Sequence, residues 1–341
     1  MKPEALVLET EHRFDSGARL PIRLGAESYG RLNARRDNAV LICHYYTGTM
    51  HAAGRYSRSE LEQPGWWDAL IGPGRAIDTD RFFVVCLNTP ANVQSRDPRV
   101  ITSGPDTAAP DGQPWGARFP DFGLGDVVEL QRALMQQLGI RGWYAVLGPS
   151  LGGMQTLHWG ARYPELAPRL GIVAAAPQAG AAVKQAFYPL LELIGRCAPD
   201  EPTGLREALR LISFFGLGSD GLRRNFEIPD LDFETYLGSR AQVASLQHIL
   251  AIGRMVCQHD LEVYRPLPET ARMWAARGTR VLTVAVRGDQ FFSAGHIRAF
   301  AGLLAHEGVS SAHLEVDSEL GHLACVSETV LFEAAVRELL A

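Results

Sequence analysis

The sequence predicts an α/β fold in which a mostly parallel sheet is covered by helices and interrupted once by a helical insertion. Three observations carry this. Short, continuously apolar runs alternate with stretches of helical period towards both ends of the chain, the pattern of strands buried between two helix layers. The apolar run 144–155 breaks sharply at Gly148-Pro149-Ser150-Leu151-Gly152 and resumes with helical spacing, so it reads as strand, tight turn, helix. Between 178 and 272 the strand signals stop and helical periods take over. The chain therefore divides into a first core segment at 1–177, a helical lid at 178–272 and a second core segment at 273–341.

In chain order, residues 6–29 alternate polar and apolar around Asp15-Ser16-Gly17 and predict a hairpin. The apolar run 38–44 predicts a strand that ends in His44-Tyr45-Tyr46-Thr47-Gly48. A loop leaving the C-terminal edge of such a strand is where an open α/β sheet places its ligands. A second strand is predicted over 82–87, followed by an aperiodic stretch, 88–119, rich in Pro, Gly, Asp and Thr. Long loops of that kind tend to be functional, and this one is expected to border the pocket. A helix over 126–138 feeds the strand before Gly148, and 171–176 gives the next strand. Lid helices are predicted at 182–196, 204–215 and 236–256, with apolar residues that read as core or interface. A strand over 280–286, a helix over 294–305, a strand over 312–316 and a helix over 328–340 close the chain. There is no internal repeat.

The 341 residues can bury a sizeable core. A formal charge of -5 and a pI near 6.1, without a basic stripe, argue against nucleic acid or an anionic membrane as partner. A small neutral or cationic ligand fits better. The opening Met1-Lys2-Pro3-Glu4-Ala5 shows no apolar signal segment, and no run approaches a membrane span. Cysteines at 43, 86, 197, 257 and 325 form no C-x-x-C pair, which suits a reducing compartment better than a disulfide frame or a zinc site. The expectation is a soluble, cytoplasmic protein.

The turn at 148–152 has the G-x-S-x-G form of a nucleophile elbow, which lifts a serine hydroxyl onto a strained bend. Ser150 is the candidate nucleophile; the alternative is a structural Gly-rich turn with an incidental serine. A hydroxyl nucleophile needs a base, and the base an orienting carboxylate. Asp289 and His322 each follow a predicted strand, and the order Ser, Asp, His is the one used by α/β-hydrolases. Singly, the aspartate reads equally as a turn or helix cap and the histidine as a loop residue. Their joint order and strand-end placement distinguish a triad. The Tyr46 and Leu151 N–H groups are the candidate oxyanion hole, and His44 is read as structural support beside it. His51, His158, His248, His259 and His313 receive no role. No ligand cluster calls for a metal, and the Gly152-Gly153 pair is too weak to imply a nucleotide cofactor.

Several segments closely resemble homoserine O-acetyltransferases, the acyl-CoA-using branch of the α/β-hydrolase superfamily. They are Cys43-His44 with Thr47-Gly48, Pro64-Gly65-Trp66-Trp67-Asp68, Leu70-Ile71-Gly72-Pro73-Gly74, Ala76-Ile77-Asp78-Thr79-Asp80, Phe83-Val84-Val85-Cys86 and Gly152-Gly153-Met154-Gln155. The resemblance covers nearly the whole chain and is strongest over 38–166. It implies an acyl-serine intermediate on Ser150 with Asp289 and His322 as partners, a helical lid forming a tunnel, and a homodimer through that lid.

Three runs depart from the family's pattern. The catalytic histidine of typical members stands in Gly-His-Asp-Ala-Phe, where the Asp is thought to hold the amine of homoserine; here the run is Gly321-His322-Leu323-Ala324-Cys325. A lid run Arg-Phe-Asp-Ala-Asn is replaced by Ala244-Ser245-Leu246-Gln247-His248-Ile249-Leu250, and a Gly-rich loop by Thr89-Pro90-Ala91-Asn92-Val93-Gln94. These departures are read as acceptor-side or pocket-side changes around an intact triad. Without polar anchors for a zwitterion, an acceptor loses much of the positioning advantage that lets it outcompete water. The sequence is therefore read as a serine hydrolase of small acyl esters, acetates above all. The alternatives are an O-acyltransferase to homoserine or another hydroxylated acceptor using acetyl- or succinyl-CoA, and an inactive binding protein of the same fold.

Overall fold

The computed structural model describes residues 1–57 and 63–341. The alternating segment at the start forms β1 (Glu4–Arg13) and β2 (Arg19–Tyr29), paired antiparallel in unbroken register from Glu4↔Ser28 to Arg13↔Arg19. Gly17 turns the hairpin at a φ of 90°, a conformation glycine adopts without steric cost. The apolar run after it gives β3 (Ala39–Ile42), every residue of which is buried. Two short strands, β4 (Ile71–Gly72) and β5 (Ile77–Asp78), pair apart from the main sheet. The main sheet continues with β6 (Phe83–Leu87), β7 (Ala145–Pro149), β8 (Arg169–Val173), β9 (Arg280–Arg287) and β10 (Ser310–Asp317).

Its eight strands lie in the order β1-β2-β6-β3-β7-β8-β9-β10. From β6 to β10 all neighbours are parallel, and β2 joins antiparallel to β6. Helices α1 (Leu124–Gln137) and α2 (Leu151–Arg162) flank β7 in the chain. Between β8 and β9 come α3 (Tyr188–Cys197), α4 (Glu201–Leu222), α5 (Phe233–Ala241), α6 (Leu246–Cys257) and α7 (Leu267–Arg277). The chain closes through α8 (Ala294–His306), α9 (Ala324–Ser327) and α10 (Glu333–Leu339). Two apolar clusters fill the layers, and Val and Leu side chains of β3, β6 and β7 supply both. Each such side chain contributes about 1.5–3 kcal/mol on burial.

Several predicted boundaries move, for local reasons. The strand expected over 171–176 starts at Arg169 and stops at Val173, because Ala174 turns to a φ of 50°. The helix expected over 182–196 begins as a π-helical stretch, Ala182–Phe187, before α3. The one expected over 204–215 is longer: Asp200 caps it by accepting from the Thr203 N–H, and it bends at Gly218. The helix expected over 236–256 is two, α5 and α6, since Ser245 leaves helical backbone and its hydroxyl accepts from the His248 N–H to start α6. The closing helix is broken at Phe332, whose φ of -134° separates a short turn, Thr329–Leu331, from α10.

Candidate active site

Ser150 sits at the junction of β7 and α2 with φ 56° and ψ -121°. For a side chain larger than glycine this conformation costs on the order of 1–3 kcal/mol. Hydrogen bonds hold it from both sides, Ser150 N–H to the Val173 carbonyl and Met154 N–H to the Ser150 carbonyl. The glycines of the motif are there for close approach. A Cβ on Gly152 would lie 2.0 Å from the Cys43 carbonyl oxygen, and one on Gly148 2.5 Å from the same atom. The elbow is thereby pressed against the end of β3. Gln155 of α2 adds a bond to the His44 carbonyl.

His322 lies in a short 3-10 turn, Gly321–Leu323, beyond β10. Its Nε2 is 2.7 Å from the Ser150 Oγ and its Nδ1 2.6 Å from the Asp289 Oδ2. Asp289 follows β9 by two residues, and its Oδ1 accepts from the Phe291 and Phe292 N–H groups at 2.7 and 2.9 Å. All three side chains are buried. A carboxylate can only accept, so Nδ1 carries the imidazole proton and the Nε2 lone pair is left to receive the serine proton. The rings of Phe291 and Phe292 pack beside the imidazole at centroid distances of 5.0 and 5.7 Å. Ser150, His322 and Asp289, far apart in the chain, thus form one hydrogen-bonded line, as their strand-end positions predict.

Tyr46 and Leu151 both border the pocket at Ser150. Leu151 is the first residue of α2, where backbone N–H groups lack helical acceptors. Tyr46 is fixed by its hydroxyl, which donates to the Ile249 carbonyl of α6. His44 supports the same loop: its Nδ1 donates to the Tyr45 carbonyl and its Nε2 accepts from the Thr89 N–H. Burial pushes its pKa down to about 4, which keeps the ring neutral and both bonds intact.

The loop expected to border the pocket does not do so; residues 88–119 contribute nothing to its lining. Instead the front of this loop props the segment after Tyr46 from behind. Asn92 Nδ2 donates to the Gly48 carbonyl at 2.9 Å, Gln94 Nε2 to the Thr47 carbonyl at 2.7 Å, and Asn88 Oδ1 accepts from the Met50 N–H at 2.7 Å. The Trp66-Trp67 pair does similar work. Trp66 Nε1 donates to the Thr49 carbonyl and Trp67 Nε1 to the Cys325 carbonyl beyond His322, so adjacent indoles tie down both the loop after Tyr46 and the histidine turn.

The cavity above Ser150 holds about 110 Å³, small beside the ~300–1,000 Å³ typical of drug-sized ligands. Its far wall comes from the inserted helices, through Ile212, Leu217, Tyr236, Arg240 and Val256. Leu323 borders it next to His322. Of the three departing runs only this one reaches the pocket. The other two pack on each other: the Ser245 N–H donates to the Val93 carbonyl and His248 Nδ1 to the Asn92 carbonyl. They form one docking feature rather than two acceptor-side changes. Sequence reading missed Arg240 altogether. The sequence carried only a general signal, an arginine in a helical stretch with no acidic residue three or four positions away, which does not say that it faces the cavity.

Comparison with known proteins agrees with this architecture. The α/β hydrolase fold family matches residues 38–197. The homoserine O-succinyltransferase of Halothiobacillus neapolitanus is 34% identical over 91% of this chain and 82% of its own. The homoserine O-acetyltransferase of Thermobifida fusca is 32% identical over 96% and 91%. The chain belongs to the homoserine O-acetyltransferase family. Among solved structures, esterase E22 superposes with a TM-score of 0.90 at 29% identity, covering 99% of this chain and 100% of that one. The homoserine O-acetyltransferase from Bacillus anthracis gives 0.85 at 30%, covering 100% and 98%. Curated relatives of the chain are thus named for acyl transfer and one structural neighbour is named as an esterase; the curated names back acyl transfer better than hydrolysis. Among the described residues no helix is long and apolar enough to cross a membrane.

Proposed function

We propose that Ser150 is an acyl-accepting nucleophile, His322 its base and Asp289 the orienting carboxylate, and that the acyl group passes to water, making the protein a hydrolase of short acyl esters. Ser150 Oγ attacks the ester carbonyl while His322 Nε2 takes its proton. The Tyr46 and Leu151 N–H groups receive the developing oxyanion. Collapse breaks the bond to the alcohol, which leaves with the proton from His322. Water then attacks the acyl-serine, again losing its proton to His322, and the acid departs as Ser150 regains a proton.

The observation that carries the choice of water is Leu323. Among the described residues no carboxylate borders the pocket. An amino-acid acceptor would have to leave its ammonium there without a counter-charge, at a cost of about 3 kcal/mol or more. A second reading, transfer from acetyl- or succinyl-CoA to homoserine, is favoured by the names of the curated relatives. Product partitioning decides between them: 4-nitrophenyl acetate alone, and acetyl- or succinyl-CoA with and without L-homoserine, followed by mass spectrometry. Fast release of acid with no O-acylhomoserine supports hydrolysis. Homoserine-dependent release of CoA with matching O-acylhomoserine overturns it in favour of transfer.

The family resemblance also supports a homodimer through the inserted helices, where Leu193 and Phe214 are each 51% exposed. Sedimentation at the mass of one chain would remove that proposal.

A further inference from the structure

Among the described residues, and apart from His322, the pocket is bordered by uncharged side chains with one exception, Arg240. It lies in the last turn of α5 and is half-buried. Its guanidinium stands close to the Tyr45 hydroxyl, a single acceptor beside a group with five N–H donors. The acid on the same helix, Glu234, is engaged by Arg206 and Arg210. Among the described residues no carboxylate stands at ion-pair distance from Arg240, although arginines elsewhere on the inserted helices are paired, as Arg254 is with Asp121 and Arg224 with Glu328. The C-terminal dipole of α5 accounts for tolerating a cation at this end of the helix. It does not account for turning that cation towards a largely apolar cavity, where a charge without a partner is costly. A planar guanidinium with free donors is the side chain best suited to grip a carboxylate through two parallel hydrogen bonds.

We propose that Arg240 is a specificity-determining residue that selects substrates carrying a carboxylate, held within the cavity that Ser150 shares. The inference rests on the acyl-serine reading but not on whether water or an alcohol finally takes the acyl group. The carboxylate has two chemical sources. It is the far end of a dicarboxylic acyl chain, as in a monoester of succinic acid, or it belongs to the alcohol portion, as in an O-acyl hydroxy acid. In both, the Ser150 Oγ–acyl carbon bond forms, the carbonyl carbon–alkoxy oxygen bond breaks, and the alcohol leaves with the proton that His322 took from Ser150. With Leu323 beside His322 and, among the described residues, no acid on the pocket wall, the favoured ligand is an anion rather than a zwitterion.

The test compares carboxylate and carboxamide isosteres in acylation, the step that hydrolysis and transfer share. Butyl hydrogen succinate against butyl succinamate probes the acyl side; 4-acetoxybutanoate against 4-acetoxybutanamide probes the alcohol side. Alcohol release in the first turnover and the acyl adduct on Ser150 are followed in the native protein, Arg240→Gln and Arg240→Lys. The ratio of acylation kcat/KM within each protein cancels any general loss. The native protein is expected to favour the carboxylate by about tenfold or more in one arm, which identifies the source. Arg240→Gln brings that ratio to one or below, and Arg240→Lys retains part of it. A native ratio near one in both arms overturns the proposal, as does a preference that survives Arg240→Gln. Absence of any Ser150 adduct overturns the acyl-serine reading and this inference together. An adduct that forms with the expected preference but resists water removes hydrolysis alone.

Discussion

Asp289 divides its two oxygens between different tasks: Oδ1 takes the Phe291 and Phe292 N–H groups, and Oδ2 faces His322 Nδ1. That division makes Asp289→Asn a sharp probe. The amide oxygen must stay on the two backbone donors, so the amide nitrogen is turned to His322. The imidazole then has to accept at Nδ1 and carry its proton on Nε2, where it cannot receive the serine proton. Acylation should fall on the order of 10³–10⁴-fold, the scale known for such a change in serine proteases, with the Tm little altered; steady-state ester kinetics and thermal melts check both. A loss under tenfold would remove the tautomer argument. The hydrogen-bonded line of Ser150, His322 and Asp289 was legible in sequence because strand ends fix where the three residues emerge. Arg240 was not, because nothing in the sequence of α5 says which of its turns faces the cavity.

Among the elements, the loop that carries Tyr46, proposed to supply an oxyanion donor, depends on a neighbour that does not touch the pocket. Gly48 is held through its carbonyl by Asn92, which is fully buried. Replacing Asn92 by Leu leaves that carbonyl without a partner, at a cost of about 1–3 kcal/mol. It also loosens the segment carrying the Tyr46 N–H. Removal of an oxyanion donor outright costs about 10²–10³ in kcat; loosening it should cost about tenfold, with KM little changed. A shift in KM alone would mean that the loop binds substrate instead. The break between α5 and α6 belongs to the same feature. Helical period runs straight through 236–256, yet the Val243 carbonyl accepts from the Arg96 N–H and the Ser245 N–H donates to Val93. A tertiary contact overrides local propensity there, which a periodic pattern cannot reveal.

The whole molecule buries several neutral histidines, and this sets its response to acid. Burial pushes the pKa values of His44 and His259 from 6.5 down to about 4. His259 Nε2 donates to the Ala176 carbonyl, and its Nδ1 lies 3.1 Å from His158 Nε2. With the folded pKa below the unfolded one, the unfolded chain binds more protons between those values. Stability is therefore full above about pH 6.5 and falls as pH drops towards 4, by up to about 1.4 kcal/mol per unit for each group. Urea midpoints at pH 7, 6 and 5 should decline in a window where most carboxylates have not yet begun to protonate; a flat profile contradicts the burial argument. The central strands β3, β6 and β7 were readable from apolar runs, since a strand buried on both faces has no polar positions to confuse its period; the β1–β2 hairpin was readable from its alternation instead. The two-residue strands β4 and β5 were not, being too short to show any period.

Hydrolysis and transfer both require that an acyl group reside on Ser150. Rapid-quench intact-protein and peptide mass spectrometry after mixing with 4-nitrophenyl acetate tests it most directly. An acetyl group is expected on the Ser150 peptide, forming with nitrophenol release, lost to water, and absent from a folded Ser150→Ala protein. Turnover that persists in Ser150→Ala, or acetyl found only on another residue, would contradict it.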